Sequence, residues 1–276
     1  LTDVTGVQTC ALPILEATSI HSLAGVLKAG SALLTERPFR HPHHSVSTAA
    51  LIGGGQVPSP GEVSLAHHGV LFLDELAEFP RIALEAMRQP LEDGAVTISR
   101  VGGKATIPAA FTLVAASNPC PCGHLGDFRK PCRCTQKQII SYRSRFSGPL
   151  LDRIDLHVEV TAVRVEDMGT GPEGQTSAYY REQVLAARKI QDERFKGMHG
   201  VTCNARMTPA AVRKFAKLSV DCNKAISSAM ENLGLSARAY TRIIKVSRTI
   251  ADLRGAPDIE LTDLHEAIQF RTLDRA

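Results

Sequence analysis

Residues 69–79 read GVLFLDELAEF, and this stretch decides the fold. Its four apolar residues, 70–73, predict a short strand buried on both faces, as in a parallel sheet covered by helices. Two acids, Asp74 and Glu75, follow directly. At the carboxyl end of a parallel strand, an aspartate can hold the Mg²⁺ that bridges phosphate oxygens, and a second acid can orient or deprotonate water. Many parallel strands end in an acid without such a site, so the pattern needs support from the rest of the chain.

The segments around this stretch alternate between helical and strand patterns. Residues 111–116 predict a second buried strand and residues 156–160 a third, whereas VTISR at 96–100 and KATIP at 104–108 predict a hairpin. Helices are predicted over residues 15–28, 81–91 and 141–154. Strands separated by helices indicate an α/β fold, a largely parallel sheet with helices on both faces.

The last hundred residues show helical patterns only. Helices are predicted over residues 179–195, 209–217, 221–233, 236–254 and 262–270. Their N-cap candidates are Thr208, Ser219, residues 234–236 and Thr262. The predicted organisation is a leader at 1–14, an α/β core at 15–165, a Gly-rich linker at 166–176 and an all-helical lid at 177–276.

Composition excludes several classes of protein. The 276 residues are 43% apolar, which is too much for a disordered chain, and no apolar run approaches the ~18 residues that cross a membrane. Seven cysteines in a chain of this length do not make a secreted disulfide scaffold, so a cytoplasmic protein is expected. Residues 1–160 carry 14 basic and 14 acidic side chains, and the formal charge of +4 therefore belongs to the remainder.

Three further polar residues stand where a phosphate site would need them. Asn118 follows the second strand, so its amide is expected beside Asp74, within reach of a γ-phosphate or the attacking water. Arg153 is placed to reach the phosphate of a neighbouring subunit, and Arg238 opens a helix of the lid that can close over the nucleotide. For each arginine taken alone, a surface ion pair is the alternative.

Four cysteines form a compact motif directly after Asn118. Their spacing is C-x-C-x₉-C-x-C, at Cys120, Cys122, Cys132 and Cys134. Two close pairs joined by a loop containing glycines can place four thiolates around Zn²⁺. Disulfides, redox-active thiols and inert thiols are the alternatives, and disulfides are disfavoured in a cytoplasmic protein.

Basic and histidine residues suggest weaker hypotheses. Arg100 and Lys104 flank the hairpin turn and can contact DNA phosphates, although a solvated hairpin tip fits them equally well. The helix over 236–254 is expected to show a cationic face opposite an apolar one. The paired histidines at 43–44 and 67–68 have no acid nearby in sequence at ligand spacing, so hydrogen-bonded loop histidines are favoured.

Five long motifs together resemble the magnesium-chelatase-like AAA+ ATPases of the ComM/YifB type. They are GVLFLDELAEF, RQPLEDGAVTISR, LVAASNPCPCG, GPLLDRIDLHVEV and GLSARAYTRIIKVSRTIADL, and the resemblance extends from Leu15 to the C-terminus. It implies that Asp74 and Glu75 match the Walker B acids, Asn118 the sensor-1 residue, Arg153 the arginine finger and Arg238 the sensor-2 arginine. It also implies ATP and Mg²⁺ as cofactors, a homohexameric ring and a DNA motor that drives branch migration.

One family motif has no counterpart, because G-x-x-x-x-G-K-[ST] occurs nowhere in the sequence. In the resembled family this Walker A loop precedes the matching region, so we expect a C-terminal portion of a longer protein that binds ATP poorly alone. The residues at 1–14 resemble translated adaptor sequence, and an ordinary disordered N-terminus is the alternative. A chelatase-type ATPase that drives metal insertion and a non-enzymatic, zinc-bearing DNA-binding module are the alternative functions.

Overall fold

The computed structural model describes residues 11–27, 30, 32–55, 58–100, 103–160, 174–198 and 200–271. The chain divides into two compact units, Leu1–Arg153 and Ile154–Ala276. Among the described residues, no helix is both long enough and apolar enough to cross a bilayer.

The first unit contains short strands and helices in alternation. Its strands are β1 (Phe39–Arg40), β2 (Gly53–Gly54), β3 (Ser59–Pro60), β4 (Val70–Leu73), β5 (Ala95–Arg100), β6 (Gly103–Pro108) and β7 (Thr112–Ala115). Its helices are α1 (Ala11–Leu23), α2 (Thr48–Ile52), α3 (Glu62–Leu65), α4 (Arg81–Ala86), α5 (Arg88–Asp93), α6 (Gln136–Arg143) and α7 (Gly148–Leu151). Helix α1 begins at Ala11, so the last four residues of the expected leader are helical, and residues 1–10 lie outside the described part.

A three-stranded parallel sheet in the order β1-β4-β7 lies at the centre of this unit. The prediction of a parallel sheet combined with helices is therefore confirmed. Leu71 and Leu73 of β4 are fully buried and join a core with Leu51, Leu84 and Met87. Strand β7 was predicted to be buried, but it is mostly exposed because only β4 pairs with it among the described strands.

Strands β5 and β6 form the predicted hairpin. They pair antiparallel from Ala95↔Pro108 to Arg100↔Gly103, and the turn residues 101–102 lie outside the described part. Val96, Ile98 and Ile107 are buried in the core of the first unit, which anchors the base of the hairpin.

Other regions also differ from the sequence prediction, and the helix predicted over 81–91 is divided into α4 and α5. The helix expected over 141–154 is replaced by α6 and α7, because Ser147 adopts an extended conformation and caps α7 with its side chain. Residues 156–160 form no strand. The backbone N–H of His157 donates to the carbonyl of Phe270 instead, while Leu156 and Val158 are 49% and 67% exposed.

The second unit is helical, as predicted. Its helices are α8 (Ser177–Arg194), α9 (Pro209–Phe215), α10 (Val220–Leu233), α11 (Ala237–Leu253) and α12 (Leu261–Gln269). Thr208, Ser219 and Ser236 accept backbone N–H bonds as N-caps, whereas Glu260 rather than Thr262 caps α12. Most of the expected linker, at 161–173, lies outside the described residues, so the proposed domain limits stay predictions.

The cationic face expected on α11, formed by Arg238, Arg242, Lys245 and Arg248, is wrong at one of its four positions. Arg248 is only 2% exposed and pairs with Asp252 one turn later. Asp252 also accepts hydrogen bonds from Arg194 and from Asn204 at 2.7 Å. Residues four positions apart on a helix lie on the same face, so Asp252 can neutralise the charge of Arg248. Arg248 is therefore accommodated in the core instead of at the surface.

Candidate functional site

Asp74 and Glu75 lie at the carboxyl edge of the parallel sheet, where the ends of β4 and β7 are joined by backbone hydrogen bonds. The N–H of Ala116 donates to the carbonyl of Leu73 at 2.9 Å, and the N–H of Leu76 donates to the carbonyl of Ala116 at 2.8 Å. This pairing fixes the turn after β4 against the residues that lead to Asn118. Asp74, Glu75 and Asn118 are all exposed, so their polar groups are accessible at one edge.

The turn itself has a strained backbone. Glu75 adopts the left-handed conformation, with φ 50° and ψ 46°, which is uncommon for residues other than glycine. Its N–H donates to Oδ1 of Asp74 at 2.8 Å. Strain of this kind persists where the surroundings hold it, and it is concentrated at functional sites.

A third strand end reaches the same edge, and sequence reasoning missed it. Strand β1 runs parallel to β4, so the histidine-rich loop that follows it also lies at the carboxyl edge. Nδ1 of His44 lies 3.0 Å from Oε2 of Glu75, and its ring stacks on His43 with centroids 4.0 Å apart. A strand predicted at residues 39–40 and paired parallel with β4 would have placed His44 beside Glu75, because parallel strands end at the same edge.

The side chain of Arg153 is not extended into solvent. Its side chain is 8% exposed, pairs with Glu92 and donates to the carbonyl of Pro149. Its Nε is buried with no hydrogen-bond partner among the described residues. For Arg153 to act as an arginine finger, its guanidinium must first leave Glu92.

Arg238 and the hairpin residues are placed more simply. Arg238 is exposed at the start of α11, in the second unit. Lys104 is exposed on β6 opposite Ser99, and the backbone of Arg100 pairs with Gly103. The roles predicted for these three basic residues stay predictions.

The four predicted cysteines converge into one cluster. The Sγ atoms of Cys120, Cys122 and Cys132 lie 3.5, 3.6 and 3.7 Å apart, and the Sγ of Cys134 lies within 4.8 Å of the other three. A zinc ion bound tetrahedrally at about 2.3 Å needs sulfurs about 3.8 Å apart, whereas a disulfide needs about 2.05 Å. The arrangement therefore fits a tetrahedral metal and excludes disulfides between these cysteines in this structure.

The thiols of this cluster differ in acidity. Backbone N–H groups of His124 and Arg133 lower the pKa of Cys122 to about 6, whereas burial raises the pKa of Cys134 to about 12. In the absence of a metal, one thiolate therefore forms readily and another is suppressed. A bound cation would have to displace the remaining protons, so its affinity is expected to depend on pH.

The second histidine pair contacts an acid that sequence spacing did not suggest. Nε2 of His68 lies 2.7 Å from Oε2 of Glu16 and Nε2 of His67 lies 3.4 Å from it, so both histidines are hydrogen-bonded as favoured, to an acid that is 52 and 51 residues away in sequence. The backbone N–H of Ala110 donates to Nδ1 of His67 at 2.9 Å, which leaves the proton of a neutral imidazole on Nε2. A metal-binding histidine donates through its other nitrogen, so this bond argues against a metal at His67.

Comparison with known proteins agrees with this architecture. The family model described as magnesium chelatase, subunit ChlI, matches residues 8–168, and the model of its C-terminal region matches residues 174–271. The chain belongs to the magnesium chelatase ChlI family. This family is of the AAA+ ATPase type, in agreement with a parallel sheet followed by a helical region.

Several relatives are similar over most of the chain. Competence protein ComM of Haemophilus influenzae is 48% identical over 241 residues, which cover 87% of this chain and 46% of ComM. YifB of Escherichia coli is 44% identical over the same shares. The magnesium-chelatase subunit ChlI-2 of Arabidopsis thaliana is 23% identical over 78% of this chain and 45% of its own length. The chain thus spans about half the length of these relatives.

Proposed function

We propose that the protein containing this chain is an ATP-dependent, Mg²⁺-requiring AAA+ motor that acts on DNA. The observation that supports this most strongly is the meeting of three strand ends at one edge, where Asp74, Glu75 and Asn118 are exposed and His44 is half-buried. A parallel-sheet edge with two carboxylates and an amide is the arrangement used for phosphoryl transfer.

The donor set fits magnesium. Asp74 offers a hard, exposed carboxylate whose Oδ1 is oriented by the N–H of Glu75. Mg²⁺ would supply neutralisation of charge on the phosphate oxygens. Within this chain, Asp74 would hold the ion, Glu75 would orient the attacking water and accept its proton, and Asn118 would donate its amide to the γ-phosphate or the water.

Comparison of two glutamates from the same turn tests this assignment. In the full-length protein, Glu75→Gln should lower ATP hydrolysis by about 100-fold or more, because it removes the general base. Glu78→Gln is the matched control, since Glu78 pairs with Arg145 on the exposed side of the same turn. Nucleotide binding should persist in both variants, and equal hydrolysis by the two variants would contradict the proposal.

The hairpin is the proposed DNA contact. The name of the Haemophilus relative refers to competence, and Lys104 of this chain is exposed and would neutralise a phosphate. Lys104→Ala should weaken DNA binding and reduce its dependence on salt, whereas Lys137→Ala, an exposed lysine of α6, should not. Unchanged DNA-stimulated hydrolysis after replacement of both Arg100 and Lys104 would remove the hairpin from the proposal.

The similarity to ChlI-2 favours a second candidate, an ATPase that drives metal insertion into a porphyrin. The higher identity to ComM makes the DNA motor the stronger proposal. Hydrolysis stimulated by branched DNA supports the motor, and stimulation by a porphyrin-binding partner supports the chelatase. The motor is also proposed to work as a homohexameric ring, in which Arg153 would serve a neighbouring subunit.

We propose further that Zn²⁺ occupies the four-cysteine cluster, because the sulfur separations match a tetrahedral site. Mass spectrometry of the native protein should find one zinc per chain. Cys132→Ser should lower this occupancy, whereas Cys203→Ser, which replaces a cysteine outside the cluster, should retain it. Metal-free native protein would contradict the assignment.

A further inference from the structure

The side chain of Asn118 lies against the cysteine cluster. We propose that the metal centre formed by the four cysteines is the scaffold that positions Asn118 at the phosphate edge of the sheet. The metal would therefore influence ATP turnover through this amide. The inference rests on the proposed function, since it assigns Asn118 to the nucleotide site.

The first link between the metal and the amide is covalent. Only Pro119 separates Asn118 from Cys120, and the latter is fully buried. Proline has a fixed φ and also restricts the residue before it to extended conformations. A sulfur held by a metal at Cys120 therefore limits where Asn118 can lie.

The second link is a contact through space. The N–H of Gly123 donates to the carbonyl of Cys120 at 3.0 Å and closes a turn around the first cysteine pair. A Cβ built on Gly123 would lie 3.8 Å from Oδ1 and 3.9 Å from Cγ of Asn118. The carboxamide therefore lies close to this turn of the cluster, within van der Waals range of a side chain introduced at Gly123.

Backbone hydrogen bonds of Ala116 to Leu73 and Leu76 hold the strand end two residues before Asn118, but other restraints on its side chain are weak. No side-chain hydrogen bond holds Asn118 among the residues that the structure describes, and the strand that leads to it is mostly exposed. Val114 of β7 is 44% exposed, so packing contributes little to the position of the strand end. Beyond the backbone bonds of Ala116, the cysteine cluster is thus the principal restraint on the side chain of Asn118 within the described part of the chain.

Two glycines of the cluster provide a matched test. Gly123 and Gly126 have φ values of 77° and 84°, but a Cβ at Gly126 would have open space around it. Asparagine tolerates such backbone angles, so Gly123→Asn and Gly126→Asn should both fold and keep the metal. Only the first variant introduces atoms beside the amide of Asn118.

The experiment uses the full-length protein with metal content, nucleotide affinity and hydrolysis measured on each variant. Gly123→Asn should lower kcat by about tenfold or more with KM within about twofold, because displacement of a transition-state group by an ångström is costly. Gly126→Asn should match the native protein. Equal kcat values for the two variants, with zinc retained, would overturn the proposal.

A second readout does not depend on activity. Removal of zinc with a chelator should increase amide hydrogen exchange in the peptide 112–118 by about tenfold or more, with little change in the peptide 81–93, and zinc should reverse the effect. Unchanged exchange in 112–118 would overturn the inference. If Asn118→Ala leaves hydrolysis unchanged, the proposed role of Asn118 in the nucleotide site fails instead, and the exchange result still reports on the scaffold.

Discussion

Asp74 follows strand β4 and Asp252 lies within helix α11, and these two aspartates have different surroundings. Asp74 is exposed at the end of β4 and accepts a bond from the adjacent N–H of Glu75. Asp252 is 1% exposed inside the second unit and is bonded to Arg194, Arg248 and Asn204. The first carboxylate keeps coordination sites open to solvent, and the second uses its oxygens within the fold. We therefore expect Asp74 to serve function and Asp252 to contribute to stability.

The largest effect is expected when the buried network is broken. Asp252→Ala leaves the buried Arg248 and the largely buried Arg194 without their acid, so the free energy of unfolding should fall by about 3–5 kcal/mol. Asp192→Ala, on the exposed face of α8, is the control and should change it by less than about 0.5 kcal/mol. Urea unfolding of the full-length protein measures both. Similar stabilities would show that the network does not hold the second unit together.

An intermediate effect is expected at Arg153, which combines features of both aspartates. It is buried like the network residues, but its partner Glu92 is 42% exposed. Arg153→Ala should therefore cost about 1–3 kcal/mol of stability, since Glu92 can be solvated. Arg88→Ala, which breaks a half-buried pair with Glu85, should cost less than about 1 kcal/mol. If Arg153→Ala leaves the free energy of unfolding unchanged, the pair with Glu92 does not stabilise the fold, and the guanidinium could leave it for a neighbouring subunit without loss of stability.

The smallest effect concerns Glu16, where hydrogen bonding from His68 holds the pKa below its ordinary value of 4.5. A lowered pKa in the folded state stabilises the protein above the unfolded pKa, and this contribution is lost as the pH falls through the folded value. Because the carboxylate is 39% exposed, Glu16→Gln should cost only about 0.5 kcal/mol near pH 6. The difference between the variant and the native protein should shrink as the pH falls below 4.5 and through the lowered pKa of Glu16. A cost that grows on acidification would contradict this sign.

Local sequence patterns predicted those strands and helix caps that depend on neighbouring residues alone. The apolar run of β4, the hairpin β5–β6 and the caps at Thr208, Ser219 and Ser236 follow from side-chain alternation and from hydroxyls placed before helices. The four cysteines were also found from spacing, because short gaps within each pair limit the geometry of the cluster.

Patterns failed where a distant partner decides the outcome. Residues 156–160 alternate like a strand, but a strand also needs an edge to pair with, and His157 bonds to Phe270 instead. Arg248 has the spacing of a surface residue, yet Asp252 draws it into the interior. His44 is unremarkable in sequence and meets Glu75 only because β1 runs parallel to β4.

The two aspartates also provide the most direct test of the account. Asp74→Ala and Asp252→Ala should be compared in the full-length protein for both Mg²⁺-dependent ATP hydrolysis and urea unfolding. We predict that Asp74→Ala lowers hydrolysis by about 100-fold or more while the free energy of unfolding changes by less than about 0.5 kcal/mol. Asp252→Ala should show the large loss of stability. Hydrolysis that survives in Asp74→Ala would contradict the central claim that the carboxyl edge of the sheet is the nucleotide site.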